Sequence, residues 1–362
     1  MDLKKEMKLK IGVVGAGFMG QFAHIANYAE IQNCEIVALA EYRPDLRHKV
    51  ATKFGIPRTY ENHTQLLNDS EVEAVIVITP RNITGPVAYD CLKANKHVFT
   101  EKPMAGTLEQ GEKLVQEAKK NNLQYVVGYM KRYDEGVIEG KKILNRLIET
   151  SELGSILFVR VHCFMGDSFC NPSGYIETNE DSPESIVSWP TNPEWVPTCY
   201  ELDFSGYLNT YSHNTNLLRY LFDETPKVDY VNFTQMDGRI AVLNMGNILC
   251  SLETGRSDYH YWDEIIQVYF KKGHLTIKTP PPLLRNNSAR VELYRAGEKP
   301  ETKIYSGNWT WSFKTQANAF VNDVLNNTPS VNPGIDALED LRLCEKMWKM
   351  QIERNPQKNM DT

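Results

Sequence analysis

What this 362-residue chain lacks narrows its function before any motif is read. It has no apolar run near the roughly 18–20 residues that span a bilayer. The opening MDLKKEMKLK has charges with no apolar segment behind them, so neither a membrane span nor a signal peptide is expected. Seven cysteines, an odd number with no CxxC pair, read as reduced thiols of a cytoplasmic protein. Cys163 and Cys170 are close enough in sequence to suggest a bridge or a metal pair, which is the lesser reading. Eight histidines include no HExxH or HxxxH spacing, so no metal site is expected. Positive charge is also short: a net charge of −6 and a pI near 5.8 argue against nucleic acid or an anionic membrane as partner. Internal repeats and low-complexity tracts are missing. What remains is a globular composition, 41% hydrophobic and 24% charged, long enough for two domains.

The most informative stretch that is present is residues 8–20, KLKIGVVGAGFMG. An apolar strand runs into Gly15, Gly17 and Gly20, with Phe18 and Met19 between, and a helical pattern follows. A second apolar run, EIVALA, then ends on Glu41. Each part serves a dinucleotide. Gly15 permits the tight turn, Gly17 lets the backbone approach a pyrophosphate, and Gly20 lets helix and strand pack closely. The pyrophosphate would meet free N–H groups at the positive end of the helix. Glu41 can accept hydrogen bonds from both ribose hydroxyls and would repel a 2′-phosphate, which favours NAD over NADP. Arg43 could pair with such a phosphate, and Tyr42 is placed to stack near the adenine.

Strand and helix patterns alternate up to about residue 130. Helices are expected over residues 21–30, from Pro44, and over 86–95 and 108–121. Strands are expected over 72–79 (VEAVIVIT), 97–100 and 124–128. This alternation predicts a doubly wound parallel sheet with ligands outside the carboxyl ends of its strands. A long helix over 134–150, an alternating strand over 155–164 and short strands from residue 228 then predict an α+β domain with a mostly antiparallel sheet. The expected domains are residues 1–128 and 129–362, with the closing helix, 334–353, packing back on the first. Residues 356–362 read as a frayed tail. Residues 165–200 are long, proline-rich and aromatic, either a loop packed by its own aromatics or a substrate wall carrying Tyr175, Trp189 and Trp195.

The glycine turn, Thr79-Pro80, and Glu101-Lys102-Pro103 after His97-Val98-Phe99 resemble the glucose–fructose oxidoreductase / inositol dehydrogenase (Gfo/Idh/MocA) family. The similarity continues through VVGYMKRYDEG (126–136), NTYSHNTNLLRYLF (209–222) and DALEDLRLCEKMW (336–348). It implies an N-terminal Rossmann domain, a C-terminal domain with a large open sheet, and homo-oligomers joined through that sheet. It also implies NAD(P)-dependent chemistry on a small carbohydrate or polyol. By resemblance, Lys102 lies beside the nicotinamide and stabilises alkoxide charge, with a cis bond before Pro103. His213 is the acid/base. Glu101, Thr79, Pro80, Arg81 and Asn82 border the cofactor, and Thr84 stands near an absent family histidine. Tyr129, Arg132, Asn209 and His213 face the substrate. Family members carry aspartate where this chain has Asn209 and Asn216. Both asparagines share a helical face with His213, but an amide cannot take up a proton.

These readings converge on an NAD-dependent oxidoreductase acting on a secondary hydroxyl of a sugar, glycoside or cyclitol, C3 of a glucoside among them. Two alternatives stand beside it. One is cleavage of a glycoside by transient oxidation on retained NAD. The other is a non-catalytic dinucleotide sensor, which has no need of Lys102 or His213.

Overall fold

The structure, a computed structural model, describes residues 8–167, 170, 172–181, 186–235 and 237–355. The opening residues 1–7 and the tail 356–362 lie outside the described residues, as does part of the aromatic 165–200 segment. The chain forms two compact units. The first comprises Met1–Tyr129, Ser173–Pro193 and Phe313–Leu338, and the second Met130–Pro172, Glu194–Ser312 and Glu339–Thr362. A single cut near residue 128 therefore does not describe the division, because two later segments fold with the first unit.

In the first unit six strands, β1 (Leu9–Val14), β2 (Cys34–Ala40), β3 (Arg58–Tyr60), β4 (Ala74–Val77), β5 (His97–Glu101) and β6 (Tyr125–Gly128), form one sheet in the order β3-β2-β1-β4-β5-β6. Every pair is parallel. Ile11, Val13, Ala74 and Ile76 are fully buried, as strands covered on both faces must be. The strand order reverses between β1 and β4, which opens a crevice at their carboxyl ends. Between strands run α1 (Ala26–Tyr28), α2 (Pro44–Phe54), α3 (His63–Leu67), α4 (Arg81–Lys93) and α5 (Leu108–Lys120). The expected helix after the glycine turn opens as π-helix over Gly20–Ile25 before α1. Phe320, on a later helix, packs on Phe99 with ring centroids 5.7 Å apart.

Helix α4 begins five residues before its expected start and holds Pro86 inside it. Proline has no N–H, so the Asn82 carbonyl loses its helical donor. The backbone N–H of Trp189 donates to that carbonyl at 2.7 Å. The adjacent Gly85 has no side chain, and the Trp189 ring occupies the place a Cβ would take. Further along, a Cβ on Gly106 would lie 2.6 Å from the Thr191 backbone, and Gln110 Nε2 donates to the Pro190 carbonyl at 3.0 Å. The segment Ser173–Pro193 is thus pinned to the first unit by positions that lack an atom.

The second unit is built on eight strands: β7 (Ile156–Met165), β8 (Lys227–Asn232), β9 (Gly238–Met245), β10 (Ile248–Arg256), β11 (Trp262–Phe270), β12 (Gly273–Lys278), β13 (Arg290–Arg295) and β14 (Glu301–Ser306). Their order is β14-β13-β12-β11-β7-β10-β9-β8, antiparallel except where β7 meets β10. Val159, Val161 and Cys163 are buried on one face of β7, while Arg160 between them is exposed. The helices of this unit are α6 (Glu135–Thr150), α7 (Glu201–Phe222) and most of α9 (Gly334–Arg354), while α8 (Ser312–Asn326) belongs to the first unit except for Ser312. Trp348 is fully buried and packs edge-on against Phe204, Tyr207 and Phe233.

Helix α6 shows how closely this unit is packed. Asp134 accepts from the N–H groups of Gly136 and Val137 as an N-cap, and from that of Ala289 at 2.9 Å. A Cβ at Gly136 would overlap the Ala289 carbonyl. Gly136→Ala should therefore destabilise the protein by about 1–3 kcal/mol despite alanine's higher helix propensity. A fall in the urea unfolding midpoint would show it; an unchanged or raised midpoint would refute it.

Candidate active site

The first unit places a cavity of about 310 Å³ at the β1/β4 crevice. Ten of the residues expected at a cofactor line it: Gly15, Gly17, Phe18, Met19, Gly20, Glu41, Tyr42, Arg43, Thr79 and Pro80. Gly15 has φ +97°, in the left-handed region. A Cβ on Gly20 would sit 2.6 Å from the Gly15 carbonyl oxygen, whereas one on Gly17 would meet nothing within 4 Å. Gly17 is thus left bare by need of space above it, not by packing. That is the cradle a pyrophosphate requires, and these residues fit a dinucleotide.

Glu41 closes the other end. Its carboxylate accepts from Ala16 N at 2.9 Å and from Arg43 Nε and Nη2 at 2.8 and 3.0 Å. Burial works against its charge, but the Arg43 guanidinium and the Ala16 and Arg43 amides outweigh it and hold the carboxyl below its usual range. A folded pKa below the ordinary 4.5 means that the stabilisation is complete above that pH and is lost as pH falls through the folded value. Arg43, read from sequence as a possible partner for a 2′-phosphate, is engaged by Glu41.

The remaining residues expected at the cofactor do not line this cavity. Thr84 is 2% exposed, and its hydroxyl turns inward to Thr79 Oγ1 and to the Thr79 and Pro80 carbonyls at 3.0–3.2 Å. It shapes the Thr79-Pro80 turn and does not reach the cavity. Asn82 supplies the carbonyl taken by Trp189, and Arg81 is exposed beside it. Lys102 directly follows the carboxyl end of β5, and its bond to Pro103 is cis. Glu101 accepts from the Lys102 N–H at 3.1 Å through one oxygen and pairs with His24 Nε2 at 2.8 Å through the other. His24, 2% exposed, is thus a hidden support of the lysine turn.

Sequence reading missed Glu61, Asn62, His63 and Ile186, all of which line the cavity. Asn62 caps α3, accepting from Gln65 N, so an N-cap asparagine three residues before a glutamine was the signal that could have found this turn. Ile186 belongs to the segment on which an aromatic wall was expected. Two of that wall's members serve packing in the first unit. Tyr175 meets Phe18 edge-on at 4.9 Å, and Trp189 lies against Gly85 with the Lys113 ammonium 5.1 Å above its ring.

In the second unit Trp195 packs edge-on against Phe204 with the Lys349 ammonium 4.8 Å above its ring. Half-buried Asn209, Thr210 and His213 form a stripe along α7. Asn216 does not join them. It is 1% exposed, accepts from Arg132 Nε at 2.7 Å and donates to Asp340 Oδ2 at 2.7 Å. Arg219 completes the network, 3.1 Å from Asp340. Arg132, expected at the substrate, is therefore 4% exposed and committed to Asn216. An aspartate at 216 could accept from Arg132 but could not donate to Asp340, so the amide has a physical reason. Nearby, Glu264 is buried against Lys131, Asn214 and Thr279. Tyr129, the last residue of the first unit's opening segment, is 2% exposed.

Residues 9–129 match the GFO_IDH_MocA profile, described as an oxidoreductase family with an NAD-binding Rossmann fold. Over those residues the chain is similar to that family's NAD-binding domain. The chain is 33% identical over 156 residues to inositol 2-dehydrogenase of Salmonella paratyphi B, covering 42% of this chain and 45% of that protein. It is 27% identical over 189 residues to levoglucosan dehydrogenase of Pseudarthrobacter phenanthrenivorans, covering 50% of this chain and 44% of that one. The match thus spans under half the length of these curated relatives. Scyllo-inositol dehydrogenase of Lactobacillus casei, solved with NAD(H) and scyllo-inositol, superposes with a TM-score of 0.68 at 19% identity, over 96% of this chain and 98% of that one. That likeness establishes the fold alone, shared along nearly the whole chain.

Because a Cβ at Gly17 meets nothing, Gly17→Val should fold with an unchanged melting temperature while filling the cradle. NADH affinity, read by fluorescence titration, should drop by at least about a hundredfold, or roughly 3 kcal/mol. Retained affinity would mean that the cavity is not the dinucleotide site.

Proposed function

We propose that this protein is an NAD-dependent oxidoreductase that transfers a hydride between nicotinamide and a secondary hydroxyl or ketone of a sugar, glycoside or cyclitol, C3 of a glucoside included. The observation that carries the reading is the bare glycine cradle in the same sheet as Lys102, which sits at the carboxyl end of β5 where ligands of such sheets bind. The dehydrogenases of inositol and levoglucosan among its relatives support the substrate class.

NAD, when bound, supplies the hydride acceptor. In this reading the Lys102 ammonium donates a hydrogen bond to the reacting oxygen and stabilises the alkoxide charge that grows there. Glu101, held by His24, fixes the backbone that carries Lys102. His213 takes the hydroxyl proton, since imidazole titrates near working pH. Asn209, one turn earlier on α7, holds a neighbouring hydroxyl and takes up no proton.

One observation favours a second reading, glycoside cleavage through transient oxidation on retained NAD. Ser173–Pro193 lies along the cavity, contributing Ile186 to its lining and exchanging two hydrogen bonds between Ile176 and Gln21. We also propose a cytoplasmic homo-oligomer. Its cysteines, none of them in a disulfide among the described residues, support the compartment. Its assembly surface would be the open sheet face, where Ile240, Leu249 and Ile304 are 37–50% exposed.

With a panel of inositols, aldoses and glucosides plus NAD, absorbance at 340 nm should rise, and Lys102→Met should abolish it while NADH still binds. Aglycone release without net NADH would select the second reading; no turnover on the whole panel would sink both. Light scattering should give a mass that is a multiple of 41.5 kDa, and Ile240→Asp with Leu249→Asp should lower it. A monomeric wild type would refute the assembly.

A further inference from the structure

Behind the Glu41–Arg43 wall of the cavity, outside its lining, lies a second carboxylate from a later part of the chain. Glu180, in the Ser173–Pro193 segment, accepts from Asp45 N at 2.8 Å through one oxygen and from Leu46 N at 2.9 Å through the other. These are among the first N–H groups of α2, which have no partner inside the helix and sit at its positive end. Helix α2 starts at Pro44, directly after Glu41, Tyr42 and Arg43 have lined the cavity. Burial works against the Glu180 charge. Even so, the Asp45 amide, the Thr178 hydroxyl, the Leu46 amide and the Arg43 guanidinium together hold its carboxyl below the usual range.

We propose that Glu180 is a cofactor-specificity residue: its carboxylate fills, from within the chain, the anion seat at the start of α2 beside Arg43, and so excludes a 2′-phosphorylated dinucleotide. A 2′-phosphate needs a cation and free donors next to the adenosine ribose. In this protein the cation, Arg43, is bonded to Glu41 and feels the charge of Glu180. The free donors are already occupied by Glu180. Replacing Glu41 alone would release Arg43 but leave the amides filled and a negative charge in place. The two carboxylates therefore act as independent locks, one at the end of β2 and one brought in from a segment about 140 residues later. Glu180 is held there by its neighbours: Ile176 pairs with Gln21 in both directions at 2.8 and 2.9 Å, and Lys53 donates to the Gly174 carbonyl.

The inference rests on the NAD reading of the cavity, and a binding test separates the two. The intact wild-type protein, Glu180→Gln, Glu180→Ser and Glu41→Ser/Glu180→Gln are titrated with NADH and with NADPH, following nicotinamide fluorescence. Wild type should bind NADH in preference to NADPH. Each Glu180 variant should bind NADPH roughly three- to tenfold more tightly than wild type, with NADH affinity held within about twofold, and the gain should shrink at high salt. The double variant should gain more NADPH affinity than either Glu180 variant. An unchanged NADPH-to-NADH ratio, with both affinities falling together or neither moving, overturns the inference and leaves the NAD reading intact. A wild type that binds neither nucleotide overturns both.

Discussion

The dinucleotide half of this protein depends on one steric constraint: the helix after β1 must approach the turn that precedes it more closely than any side chain allows. Gly20 lies where a Cβ would be 2.6 Å from the Gly15 carbonyl, and Gly15 adopts φ +97° to make the turn. With helix and turn locked together, Gly17 faces open space and Ala16 N comes within 2.9 Å of the Glu41 carboxylate. The acid at the end of β2 and the glycines at the end of β1 are thereby one device. A helix standing further off would lose the cradle and would leave the Glu41 charge buried without its Ala16 donor, at a desolvation cost.

The Ser173–Pro193 segment is held by a complementary logic, in which missing atoms act as instructions. Pro86 lacks an N–H, so the Asn82 carbonyl is left for Trp189. Gly85 and Gly106 lack side chains, so an indole ring and a backbone turn occupy their places. A carbonyl buried without a donor is costly, and a gap at a glycine forfeits contacts. Both deficits are filled by the same few residues. The aromatics that look like a binding surface in sequence thus serve as anchors in the first unit.

In the second unit position 216 is an amide where the family resemblance implied a carboxylate, and its surroundings give the reason. Asn216 accepts from Arg132 and donates to Asp340 at the same time, which no carboxylate can do. Asp340, fully buried, is compensated by that amide and by Arg219. The network ties α7 to α9 and the turn before α6, and leaves Asn209, Thr210 and His213 as the half-exposed stripe of α7.

The amino-acid sequence alone determined the doubly wound sheet, the glycine turn, the acid at 41 and the antiparallel second sheet. Each is coded by local periodicity or by a residue whose backbone freedom has a local use. It did not reveal that Thr84 turns inward, that Arg132 is spent on Asn216, that His24 supports Glu101, or that Glu180 sits at the start of α2. The last three contacts join residues 84, 77 and 135 positions apart, and no periodicity links such pairs. Whether a polar side chain meets a ligand or a distant backbone amide is decided by which segments the packed tertiary structure brings together, because the same donor and acceptor chemistry satisfies both.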